Sequence, residues 1–159
     1  MKLKHLFFLA VPAALSLQAP CTANAGQTIA KVGAIACVAD KWDESEPEKG
    51  QKLVDYAGRC VNIPSDPAVL PLATDDCTGN YEYMPDQTWK GTGTCTVTFK
   101  DGDKLSETWE EGSHLKQYIF KITGGTGKYA GAKGGGTYFY ESLTDTLSGG
   151  TYNGTIELP

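Results

Sequence analysis

The chain has 159 residues, a formal net charge of −5 and five cysteines. That length fits one domain, and the acidic balance argues against a nucleic-acid or anionic-lipid binder. Beyond the first apolar run nothing is long and apolar enough to span a bilayer.

Lys2 and Lys4 precede an apolar run from Leu6 to Leu17, and Ala23-Asn-Ala25 supplies an Ala-x-Ala cleavage site. Residues 1–25 therefore read as a cleavable signal peptide, with Gly26 as the first mature residue and a periplasmic or secreted destination. Removing Lys2 and Lys4 takes the mature chain to about −7. Residues 26–159 then form a single domain. Cys21 leaves with the signal, and Cys37, Cys60, Cys77 and Cys95 remain. An even number in an exported chain predicts two disulfides, with three pairings open. The intervals of 22, 16 and 17 residues contain no close Cys-x-x-Cys pair for metal or redox work.

Period-two alternation dominates the rest, the mark of half-buried strands. Gln27 to Trp42 and Leu53 to Ile63 read as strands joined by an acidic loop, Asp43-Glu44-Ser45-Glu46-Pro47-Glu48. The stretch from Ile63 to Asp76 carries three prolines and reads as irregular. Asn80 to Met84 and Thr88 to Lys100 form a hairpin around Pro85-Asp86. Cys95, Val97 and Phe99 share one face. Asp101-Gly102-Asp103 makes a tight turn into a strand with Leu105, Glu107, Trp109 and Glu111 on one face. A turn at Glu111-Gly112-Ser113 leads to a strand with Tyr118, Phe120 and Ile122 on one face.

The segment Ile122 to Tyr138 holds seven glycines in seventeen positions. A phosphate-binding loop would open a helix and follow Gly-x-x-x-x-Gly-Lys-Ser/Thr. Here Gly127-Lys128 is followed by Tyr129, and the segment runs into a strand, Thr137 to Ser142. It reads instead as a long bent connection between antiparallel strands. Leu147 to Gly150 reads as a turn, and Tyr152, Gly154, Ile156 and Leu158 face one way on a closing strand. The total is about eight antiparallel strands in sequential hairpins. Closing the sheet removes its edges, so the predicted fold is all-β, a single eight-stranded antiparallel barrel. A β-sandwich is the alternative.

The run from Thr123 to Gly136, with its Gly-Thr-Gly-Lys-Tyr-Ala-Gly core at Gly125 to Gly131, precedes an aromatic strand and a final Gly154-Thr-Ile-Glu-Leu158. It resembles the allene oxide cyclase-like and dirigent-like barrel proteins, most closely their uncharacterised exported bacterial members. The resemblance covers roughly Asn80 to Leu158. It implies an eight-stranded barrel with a lumen and transfers no catalytic residue. Trimeric plant relatives make a small homo-oligomer an alternative to a monomer.

Glu107 shares a face with Trp109, so an inward Trp109 carries an inward carboxylate, which needs a partner. Arg59, the chain's one arginine, is the candidate partner in a lumenal Arg59–Glu107 pair. With Tyr118 these residues are the catalytic candidates. Tyr56, Tyr83, Trp109, Phe120 and Tyr138 are the candidates for contacting an apolar or aromatic ligand. His114 is the sole mature histidine and sits in a turn, and no nucleophile elbow is present. No metal site or cofactor is expected. The expected function is an exported barrel that binds a small apolar or aromatic molecule or serves an envelope or extracellular interaction. The alternative is an isomerase or cyclase acting on a substrate confined in the lumen.

Overall fold

The computed structural model describes residues 26–159. The signal-peptide expectation for residues 1–25 lies outside them. Eight strands form a closed antiparallel barrel in chain order. They are β1 (Thr28–Ser45), β2 (Lys52–Pro64), β3 (Ala73–Tyr83), β4 (Trp89–Phe99), β5 (Lys104–Gly112), β6 (Tyr118–Gly125), β7 (Lys133–Ser142) and β8 (Leu147–Glu157). Closure comes from β1 pairing with β8, where Ile29 meets Ile156 and Gly33 meets Tyr152. No sheet edge is left open.

The expected strands hold, with four changes of extent. β1 runs on through Asp43, Glu44 and Ser45, half of the expected acidic loop, which pair with Asp55, Val54 and Leu53 of β2. β3 begins at Ala73, inside the proline-bearing stretch, because Pro64, Pro67 and Pro71 all precede it. The connection between β6 and β7 is short. It contains one 3₁₀ turn, Gly127–Tyr129, and Gly134, Gly135 and Gly136 lie within β7. Gly135 has φ of 148°, and a Cβ there would collide with the Phe120 carbonyl of β6. Leu147 to Gly150 belongs to β8 and is not a turn; the β7–β8 turn is at residues 143–146.

The two ends of the barrel differ. At one end the β2–β3 and β6–β7 connections fold inward beside the exposed β4–β5 turn. Leu70 and Tyr129 from these connections join Phe99, Leu105, Phe120 and Ile156 in a buried apolar plug. Asp103 Oδ2 accepts from the Lys128 amide at 3.1 Å, tying the glycine-rich connection to the β4–β5 turn. Both described chain ends lie here too, since the Leu158 amide donates to the Gln27 carbonyl at 2.8 Å. The opposite end, bounded by the other four hairpin turns, is open.

Disulfides join Cys37 to Cys60 and Cys77 to Cys95. Each pair sits directly opposite across β1–β2 or β3–β4. All four cysteines face the lumen.

Candidate functional site

Between the plug and the open end lies a cavity of about 440 Å³. That is within the range of small-molecule sites. Its wall is built by the alternation of each strand. On β5, Glu107, Trp109 and Glu111 point inward and are buried, as the alternation predicted. Tyr56, Tyr83, Trp109, Phe120 and Tyr138 all line the cavity, and so does Tyr118.

Arg59 does not. Its side chain is 69% exposed and holds Asp40 through two bonds, Nε to Oδ2 at 2.7 Å and Nη2 to Oδ1 at 2.8 Å. The predicted Arg59–Glu107 pair is therefore absent. Parity is the reason. Cys60 and Asn62 of β2 face inward, so Arg59, Val61 and Ile63 face out.

Lys31 of β1 takes the place assigned to Arg59. Its Nζ donates to Glu107 Oε2 at 3.1 Å and lies 2.8 Å from Oε1, where the angle does not suit a second hydrogen bond. Both side chains are buried. The same ammonium sits 4.4 Å from the Phe120 ring centroid and 5.2 Å from that of Tyr152, close enough for attraction to the ring faces.

Asp75 of β3 is also buried and accepts from Asn62 Nδ2. Burial pushes its pKa up to about 6, the Lys31 charge opposes this, and the Glu107 charge adds to it. The Asp75 carboxylate lies within 4.8 Å of Cys60 and Cys77 Sγ. Both sulfurs are tied in disulfides and offer no thiolate to a metal.

Four residues further along β5, toward the open end, Glu111 accepts three tyrosine hydroxyls. They are Tyr81 at 3.1 Å, Tyr138 at 2.7 Å and Tyr140 at 2.6 Å. Burial raises the Glu111 pKa while the tyrosine hydrogen bonds lower it. Burial and the Glu111 charge push all three tyrosines far above their ordinary range, so they remain donors. Aromatic rings continue to the rim. Tyr83 stacks on Trp89 at 6.0 Å, and Trp89 meets Tyr118 edge-on at 5.9 Å.

Solved structures with this architecture include the pterocarpan synthase dirigent protein GePTS1. It has a TM-score of 0.57 and 14% identity, over 96% of this chain and 99% of that one. The pterocarpan synthase dirigent protein PsPTS1 gives a TM-score of 0.55 at 14% identity, over 83% and 96%. A protein of unknown function from the DUF3224 family of Shewanella oneidensis gives 0.56 at 9% identity, over 80% and 96%. The fold is a dirigent-like barrel.

At these identities the likeness is one of fold. No family model matches the chain, and no curated protein matches it. What distinguishes the lumen of this dirigent-like barrel came only partly from its sequence. Lys31 and Asp75 were not among the expected site residues. Trp42 was not either, because a bulge between Ala39 and Lys41 shifts the β1 register. Strict alternation from Cys37 puts Trp42 outside, whereas the extra residue, Asp40, returns it to the cavity wall beside Tyr81.

Proposed function

We propose that this protein is an exported binding barrel whose lumen holds one small aromatic or apolar molecule. The observation that carries the reading is the cavity itself, closed by an apolar plug at one end and open through aromatic rings at the other. A purely structural barrel would fill that space with side chains. Two buried donors on lining residues, Trp109 Nε1 and Tyr152 Oη, have no protein acceptor, and a bound molecule with an acceptor would satisfy them. Export to an oxidising compartment accords with the two disulfides.

Titration with the neutral dye Nile red tests the reading. Saturable one-to-one binding is expected, and it should be lost in Ala39→Phe, which places a ring in the cavity. Absence of binding, or binding unchanged by Ala39→Phe, would overturn it.

A second reading is favoured by one observation, the carboxyl of Asp75 with its pKa near 6 at the depth of the Lys31–Glu107 pair. A group ionising near neutrality in a confined pocket suits general acid–base chemistry. Two of the fold neighbours are named as pterocarpan synthases, which makes an isomerase or cyclase the enzyme class to assay. Turnover that survives Asp75→Asn would remove that role from Asp75.

A further inference from the structure

The lumen meets two buried carboxylates in two ways. At the deeper level Glu107 faces the ammonium of Lys31, and that ammonium rests over the rings of Phe120 and Tyr152. Nearer the mouth, Glu111 is again a buried carboxylate among rings, those of Tyr81, Tyr138 and Tyr140. Among the described residues no cation pairs with it. Its partners are neutral hydroxyls, and among the described residues the sole lysine lining the cavity is Lys31. The carboxylates in the cavity wall, Asp75, Glu107, Glu111 and Asp145, outnumber that one ammonium.

Three hydroxyl donors disperse a carboxylate charge but do not neutralise it, and charge buried without a counter-ion is costly. Aromatic faces attract cations, most strongly where water is excluded. The rim shows the same affinity within the protein, with Lys52 Nζ 4.6 Å from the Tyr83 ring centroid. The Glu111 level thus repeats the carboxylate and rings of the Glu107 level without the ammonium.

We propose that the ligand supplies that charge: the lumen selects a small organic cation, an aromatic or apolar body carrying a protonated amine or quaternary ammonium seated against Glu111. This rests on the lumen being a binding site, and it deepens that reading by assigning the ligand's charge. Trp89, Tyr83 and Tyr118 at the rim would cover the body of the ligand while its cationic end lies inward.

The test is a charge series on one body, using 2-phenylethylamine, 2-phenylethanol and phenylacetate, each titrated by tryptophan fluorescence and calorimetry at neutral pH. The amine should bind at least about tenfold more tightly than the alcohol, and phenylacetate more weakly than either. In Glu111→Gln the preference for the amine over the alcohol should vanish while alcohol binding persists. Glu141→Gln, which removes an exposed carboxylate outside the cavity wall, should keep the preference. The series on the unaltered protein decides the matter even if Glu111→Gln fails to fold. Equal or tighter binding of the alcohol or the acid overturns the cation assignment and leaves the lumen reading intact. Failure of all three probes together with Nile red overturns both.

Discussion

Gly93 of β4 lies directly opposite Trp109 of β5, and the indole rests on the glycine backbone where a side chain would otherwise stand. A Cβ at Gly93 would overlap Trp109 Cε2 and the Thr78 carbonyl. Gly79 provides the same clearance from β3. The missing side chains let a tryptophan fit inside a narrow barrel and still leave a cavity beside it. Gly93→Ala should therefore destabilise the protein by about 1–3 kcal/mol through overpacking. Urea unfolding followed by Trp fluorescence reads this. A cost below about 0.5 kcal/mol would mean the indole relocates freely.

Lys31 and Glu107 form a buried ion pair. Lys31→Met would leave the carboxylate buried without its counter-ion, at a cost of about 3–5 kcal/mol. The double variant Lys31→Met/Glu107→Leu should recover most of that loss, because neither charge then remains. Chemical denaturation of the three variants gives the coupling. Additive effects of the two changes would show that the pair does not act as a unit.

The Asp75 carboxyl has a folded pKa of about 6, raised by burial above its ordinary value. Between about pH 4 and 6 the folded state therefore holds a proton that the unfolded state has released. The group's contribution to stability falls as pH rises through that window and is fully adverse above it, by up to about 3 kcal/mol. The raised pKa of Glu111 acts in the same direction. Asp75→Asn should be more stable than the wild type at pH 7.5 and nearly equal to it at pH 3.5. A constant difference across that range would contradict the burial argument.

The two disulfides close loops with sequence separations of 23 and 18. Removing either by paired Cys→Ser substitution should cost about 3 kcal/mol. Thermal unfolding of the pairs Cys37/Cys60 and Cys77/Cys95, each replaced together, measures it. Peptide mapping under non-reducing conditions should recover those pairings and no others.

The barrel was legible because alternation is a local property. The inward face of β5 could be read from Leu105, Glu107, Trp109 and Glu111 alone, and the structure keeps it. Errors arose where locality fails. Asp40 is one extra residue in β1, and no periodicity announces it, yet it decides which side Trp42 takes. The prolines before Ala73 suggested irregular chain, which hid Asp75 on the inner face of a strand. Arg59 was matched to Glu107 because each lacked an evident partner. Lys31 and Asp40 satisfied them separately, from a strand whose facing relative to β2 depends on tertiary pairing. The cluster at Glu111 draws on β3, β5 and β7 at once. Only closure of the sheet brings those strands to one point.

Gly26 and Leu158 leave the barrel beside each other on the plugged side, held through the Leu158–Gln27 hydrogen bond. The mouth, with Trp89 and Tyr118, opens on the far side. The molecule thus has a handle and a face. Immobilised on a surface through Pro159, it would present its opening outward. In a chain cut to residues 26–159, a short peptide bridging Pro159 to Gly26 would allow new ends to be cut at the exposed turn after Lys100, on the side away from the mouth.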